Sequence, residues 1–95
     1  MRPLVMVSMA GCPYCVELKR RLEHPDTRAL MDSRGVELQV IGHRDSQSST
    51  WIEAAEQQHH SVGFPILGYT DSAGRKQTAL GLMSMEALHQ QIRKV

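Results

Sequence analysis

Both cysteines of this chain stand in one short motif, Gly11-Cys12-Pro13-Tyr14-Cys15, at the point where an apolar run gives way to a helical pattern. Leu4-Val5-Met6-Val7 before it is continuously apolar, the pattern of a strand buried on both faces at the centre of a sheet. Pro13 suits the first position of a helix, where its missing N–H leaves nothing unpaired. The spacing therefore predicts strand, tight loop and helix, with Cys12 at the helix N-terminus. A disulfide is attacked by a thiolate rather than a thiol, and the unpaired N–H groups at a helix start favour the charged form. Cys12 is the expected attacker. Cys15, one turn further in, is within reach to close a ring with Cys12 and is the expected resolving thiol.

Two other uses of a Cys-x-x-Cys spacing compete with redox chemistry. Zinc needs two more ligands, and the candidates His59 and His60 are adjacent rather than three to five residues apart, so no metal is expected. A purely structural disulfide across so short a loop would close little chain and stabilise little. Thiol–disulfide exchange is the reading that uses the strand-to-helix context.

A chain of 95 residues is expected to form a single domain over residues 1–95, with a modest core. The net charge of +1, with both signs interspersed, gives no reason to expect nucleic acid or a membrane surface as partner. No apolar run approaches the roughly 20 residues of a membrane span, and the first ten residues lack the pattern of a signal peptide. The expectation is a cytoplasmic monomer, a periplasmic or exported origin staying open if a targeting segment was removed.

Along the chain, the helix from Pro13 sets Val16 and Leu22 against the basic run Lys19 to Arg21, until Pro25 forces a kink or restart. Asp26 can cap the second piece, Ala29, Leu30 and Met31 supply its apolar side, and Gly35 stops it. Val36 to Ile41 reads as a second strand, parallel to the first because a helical crossover joins them. Gly42 to Ser49 is a polar loop. Thr50 and Glu53 match a capping box, predicting a helix from about Trp51 to His60 that turns Ile52 and Ala55 inward, with Trp51 as a packing residue and the histidine pair as a frayed end. Ile66 to Tyr69 and Lys76 to Leu80 flank the turn Asp71-Ser72-Ala73-Gly74 as an antiparallel hairpin. Ser84 caps a last helix carrying Met85, Leu88 and Ile92. Of six methionines, four on apolar positions of these elements serve as core filler.

This order, with Cys-x-x-Cys opening the first helix and Gly63-Phe64-Pro65 opening the hairpin, resembles the thioredoxin superfamily across almost the whole chain. The resemblance implies an α/β thioredoxin-like fold, a four-stranded mixed sheet flanked by three helices in the order βαβαββα. It implies a cis bond before Pro65, facing the redox pair, and substrate contact through Pro13, Tyr14, the backbone of Phe64, and Pro65. Pro13-Tyr14 between the cysteines is similar to the dithiol glutaredoxins, whereas the Pro25-Asp26 break and the run Gly81 to Glu86 are similar to thioredoxin-related proteins. The positions by which a glutaredoxin would hold glutathione carboxylates carry Met9, Leu80-Gly81 and Met83 here. Those by which a thioredoxin is marked carry Gly11 for Trp and Met6 for a buried Asp. The leading expectation is thus an enzyme, a thiol–disulfide oxidoreductase acting on protein disulfides, with no bound cofactor and a reducing partner to recycle it. A dithiol glutaredoxin with glutathione as co-substrate is the alternative, and a non-enzymatic redox-sensing or binding module is a third reading.

Overall fold

The run Leu4 to Val7 forms the middle of strand β1 (Arg2–Ser8), and all four of these residues are buried, as a central strand requires. A computed structural model describes all 95 residues. The remaining strands are β2 (Val36–Gly42), β3 (Ile66–Thr70) and β4 (Lys76–Leu80). They form one four-stranded sheet in the order β2-β1-β3-β4, with β1 and β2 parallel and the other pairs antiparallel. The mixed α/β sheet and its connections match the expected fold.

Side-chain alternation along β1 divides the interior in two. Leu4 and Met6 turn to one face and pack with Leu18, Leu22, Met31, Leu88 and Ile92. Val5 and Val7 turn to the other and pack with Trp51, Ala55 and Ile66. Each fully buried Leu, Ile or Met removed from water stabilises the fold by about 1.5–3 kcal/mol, so the larger cluster is the main source of cohesion. Phe64 touches both clusters at the end of the sheet where the cysteines lie.

Pro25 produces a full restart rather than a bend, so there are four helices and not three: α1 (Pro13–Glu23), α2 (Pro25–Ser33), α3 (Ser48–His59) and α4 (Met85–Lys94). Because Pro25 occupies the first helical position of α2, the cap falls on His24, whose Nδ1 accepts from the Asp26 N–H at 3.1 Å. Asp26, expected to cap, lies inside the first turn. In α1 the buried positions are Cys15, Leu18 and Leu22, and Val16 faces outward. In α2 Met31 is buried as expected, but it is joined by Thr27, which is fully buried and bonded to His89 of α4 at 2.9 Å.

The capping box at Thr50 and Glu53 is not used. Helix α3 begins earlier, at Ser48, whose buried hydroxyl donates to the carbonyls of His43 and Asp45. Its far end is not frayed either, since His59 Nε2 lies 3.0 Å from the Thr78 carbonyl of β4. Trp51 and Ala55 are buried, and Ile52 is partly so. Ser84 caps α4 as expected, accepting from the Ala87 N–H at 3.1 Å. In the hairpin turn Asp71 accepts from the N–H groups of Arg75 and Ala73 and from the Gln77 side chain. Those donors, Arg75 first, hold its carboxyl below the usual value of 3.8. Of the methionines, Met6 and Met31 are buried and Met83 packs against the core, while Met1 and Met9 are exposed. No helix is long and apolar enough to cross a membrane.

Candidate redox site

The strand-to-helix junction sets Cys12 at the start of α1. Gly11 turns the chain there with φ of 73°, a left-handed backbone that favours glycine over the tryptophan that thioredoxins carry. Cys12 is the N-cap of α1 in an extended conformation (φ −100°, ψ 105°), and its sulfur accepts from the Cys15 N–H at 3.2 Å. Sulfur thus takes the place that a Ser or Asp oxygen fills at most helix starts. The same Sγ lies 3.9 Å from the Phe64 carbonyl oxygen. The Phe64–Pro65 peptide is cis, as the resemblance implied, and Pro65 is fully buried beside the site.

Although it caps the helix, Cys12 is only 9% exposed, against 3% for Cys15. Its sulfur lies between the Cys15 N–H and the Phe64 carbonyl. Both cysteines are free, so this is the dithiol form. Burial pushes the Cys15 thiol above its ordinary value of 9.0, helped by the hydrogen bond to Cys12 and the charge of that sulfur. The Met9 N–H and the Ser8 hydroxyl face Cys15 and act in the opposite direction. The two thiols therefore stand in different surroundings: one ends a helix beside a turn of backbone, the other is held neutral underneath it.

Pro13 and Tyr14 project from the exposed side of the helix start, Tyr14 at 62% exposure. Phe64 is fixed from behind by His43, ring centroids 5.8 Å apart in an edge-to-face arrangement. The structure thus gathers Cys12, Cys15, Pro13, Tyr14, Phe64 and Pro65 at one end of the sheet. It also brings in residues that sequence reasoning missed. A cavity of about 520 Å³ opens beside the cysteines, lined by Ser8, Met9, Val16, Lys19 and Val40 among others. Period-two alternation from Leu4 and Met6 places Ser8 on the same face, a signal that could have found it. Lys19 is four residues after Cys15 and so shares its helix face. His59 and His60 take no part: no cluster of three or more His, Cys, Asp or Glu side chains forms a metal site.

No protein-family model matches the sequence, and no curated protein matches it. Solved structures do. The chain is similar to a glutaredoxin from Archaeoglobus fulgidus at 25% identity and a TM-score of 0.55, covering 98% of this chain and 88% of that one. A thioredoxin from Thermus thermophilus is similar at 17% identity and a TM-score of 0.60, over 96% of this chain and 70% of that one. The C-terminal domain of DsbD from Neisseria meningitidis, in its reduced form, is similar at 14% identity and a TM-score of 0.62, over 97% and 78%. At such identities the last two speak to the fold alone. The chain has the thioredoxin fold, and the Cys12–Cys15 pair within it supports the general class of thiol–disulfide oxidoreductase.

Proposed function

We propose that this protein reduces or exchanges disulfides of protein substrates through Cys12 and Cys15. The Cys12 thiolate attacks a substrate disulfide, forming a bond to one substrate sulfur and expelling the other as thiolate. Cys15 then loses its proton and attacks Cys12, closing the Cys12–Cys15 disulfide and releasing the second substrate thiol. Two electrons pass to the substrate, and an external dithiol reductant returns the pair to the form seen here. No bound cofactor or metal is required. The observation that carries this reading is the Cys12 sulfur itself, capped by the Cys15 N–H and lying against the Phe64 carbonyl. A substrate chain pairing with the Phe64 backbone beside Pro65 would be held next to that sulfur, with Pro13 and Tyr14 forming the other rim. The pair suits a reducing compartment, the cytoplasm first.

Glutathione as co-substrate is the second reading, favoured by the likeness to the A. fulgidus glutaredoxin. Exposed Met9 offers no charge to a glutathione carboxylate, so the protein disulfide is preferred. Turnover separates the readings. Insulin reduction by a thiol reductant is expected to accelerate with the protein present, and deglutathionylation of a model mixed disulfide to be weak. The reverse ranking would assign a glutaredoxin, and no turnover on either would assign a non-enzymatic module.

A pH dependence follows from the buried thiol. Burial, the largest cause and one that persists when Cys12 is bonded to substrate, holds the Cys15 thiol above its ordinary value of 9.0, so its attacking thiolate is the minor form at that pH and still grows as pH rises further. Resolution of a preformed Cys12 mixed disulfide, followed by stopped flow, is expected to keep accelerating above pH 9.0. A plateau already reached near pH 8 would contradict the burial of the resolving thiol.

A further inference from the structure

The two edges of the sheet are finished differently. At β4 the outward backbone groups are taken by α3: the Gln58 amide donates to the Lys76 carbonyl and accepts from the Thr78 N–H, and His59 meets the Thr78 carbonyl. Gln58 imitates a neighbouring strand, so this edge is closed to another chain. At β2 nothing does so. Its ladder is with β1 alone. The Gly35 carbonyl accepts from Arg2 and the His43 N–H donates to Ser8, so odd-numbered residues turn their backbone groups toward β1. Val36, Leu38 and Val40 turn theirs outward, unpaired. The strand is seven residues long, its register is unbroken, and it carries neither the Lys nor the Pro that commonly blunts an edge.

We infer that β2 pairs antiparallel with β2 of a second copy, centred on Leu38, to make one continuous sheet across the two. A two-fold axis at Leu38 sets Leu38 opposite Leu38, Val36 opposite Val40, and Glu37 opposite Gln39, so the outward backbone groups match and no like charges meet. Centring on Glu37 would oppose that carboxylate to itself, and centring on Gln39 would keep Leu38 opposite Val40 but set Val36 against Gly42, leaving Val36 without an apolar partner.

The flanking grooves agree. On the α1 and α2 side, the groove at the start of β2 is lined by Met1, Glu23, Asp32 and Glu37, with Arg28 as its one cationic side chain. At the other end of β2 the groove holds Met9, Val16, Val40 and Lys19 and no acid. Antiparallel pairing lays the acidic end of one copy against the Lys19 end of the other. It also lays Met1, 84% exposed, toward Val16 and Val40, 63% and 42% exposed. The redox sites then lie at opposite ends of the pair, and the start of each β2 borders the cavity beside the other copy's Cys12 and Cys15.

Sedimentation equilibrium under reducing conditions tests this. The wild-type chain is expected to dimerise reversibly with concentration. Val40→Pro removes one outward N–H without touching the β1 ladder, and is expected to sediment as a monomer with an unchanged thermal melt. Gln39→Lys is expected to tighten the dimer and Gln39→Glu to loosen it, each by about two- to thirtyfold with both symmetric pairs counted. A wild-type chain still monomeric at about 1 mM, which would leave the edge to some other strand, overturns the inference. So does a dimer indifferent to Val40→Pro, or one that both Gln39 variants move in the same direction. If Val40→Pro does not fold, the two Gln39 variants decide alone.

Discussion

Gly68→Ala is expected to lower the stability of the protein by about 1–3 kcal/mol, a fall in melting temperature of about 4–8 °C per kcal/mol for a chain of this size. Gly68 sits mid-sheet in β3, opposite Val5 on one side and Thr78 on the other. A Cβ there would come within 2.5 Å of Cε3 and 2.6 Å of Cζ3 of Trp51, closer than packed carbon atoms approach. The ring cannot easily step aside, since it is 8% exposed, packed in the α3-side core, and covered by the Lys76 ammonium at 5.4 Å from a ring centroid. Its backbone is not left-handed, so the cost is one of space and not of conformation. A double-mutant cycle isolates it: on a Trp51→Leu background Gly68→Ala is expected to cost almost nothing, because the atoms it strikes are gone. An equal loss in both backgrounds, read from denaturant melts, would place the cost elsewhere.

That contact also shows where reading the sequence stops. The centre of the fold was legible because one property sufficed: Leu4 to Val7 has to be buried on both faces, and Cys12 to Cys15 has to open a helix after it. Pro65 was legible through the resemblance. What failed depended on partners far along the chain. Trp51 and Gly68 are complementary only once α3 lies on the sheet. Thr27, polar and fully buried, is placed by His89, more than sixty residues later. Val16 belongs to the apolar side that the sequence pattern sets against Lys19 to Arg21, but the face of α1 that meets the sheet is fixed by Cys15, Leu18 and Leu22, and Val16 falls outside it. Two local errors have a local cause. At Pro25 the proline took the first helical position and moved the cap back to His24. At Thr50 a good capping pair lost to Ser48, which satisfied two loop carbonyls by beginning the helix earlier. At the site, the motif named the sulfurs but not their exposure, because Phe64, whose carbonyl lies 3.9 Å from the Cys12 sulfur, arrives from the segment before β3.

The larger effect lies in the cysteines. With Cys12→Ser the nucleophile is gone, and turnover on a protein disulfide is expected to fall to background, a loss of at least about a thousandfold. With Cys15→Ser turnover is lost too, but for a different reason. The first attack does not use Cys15, so it proceeds and leaves the substrate bonded to Cys12, where no second thiol is placed to expel it. The geometry bears on this directly, since the sulfur that ends α1 beside the Phe64 backbone belongs to Cys12, and Cys15 lies beneath it, more deeply buried. Activity of Cys15→Ser surviving on a glutathione mixed disulfide would favour the glutathione reading, because free glutathione can resolve that intermediate. The most direct measurement is non-reducing electrophoresis with mass spectrometry of each variant after incubation with a protein disulfide. The proposed chemistry predicts a covalent adduct through Cys12 in Cys15→Ser and none in Cys12→Ser. An adduct through Cys15 in Cys12→Ser, with none in Cys15→Ser, would contradict it.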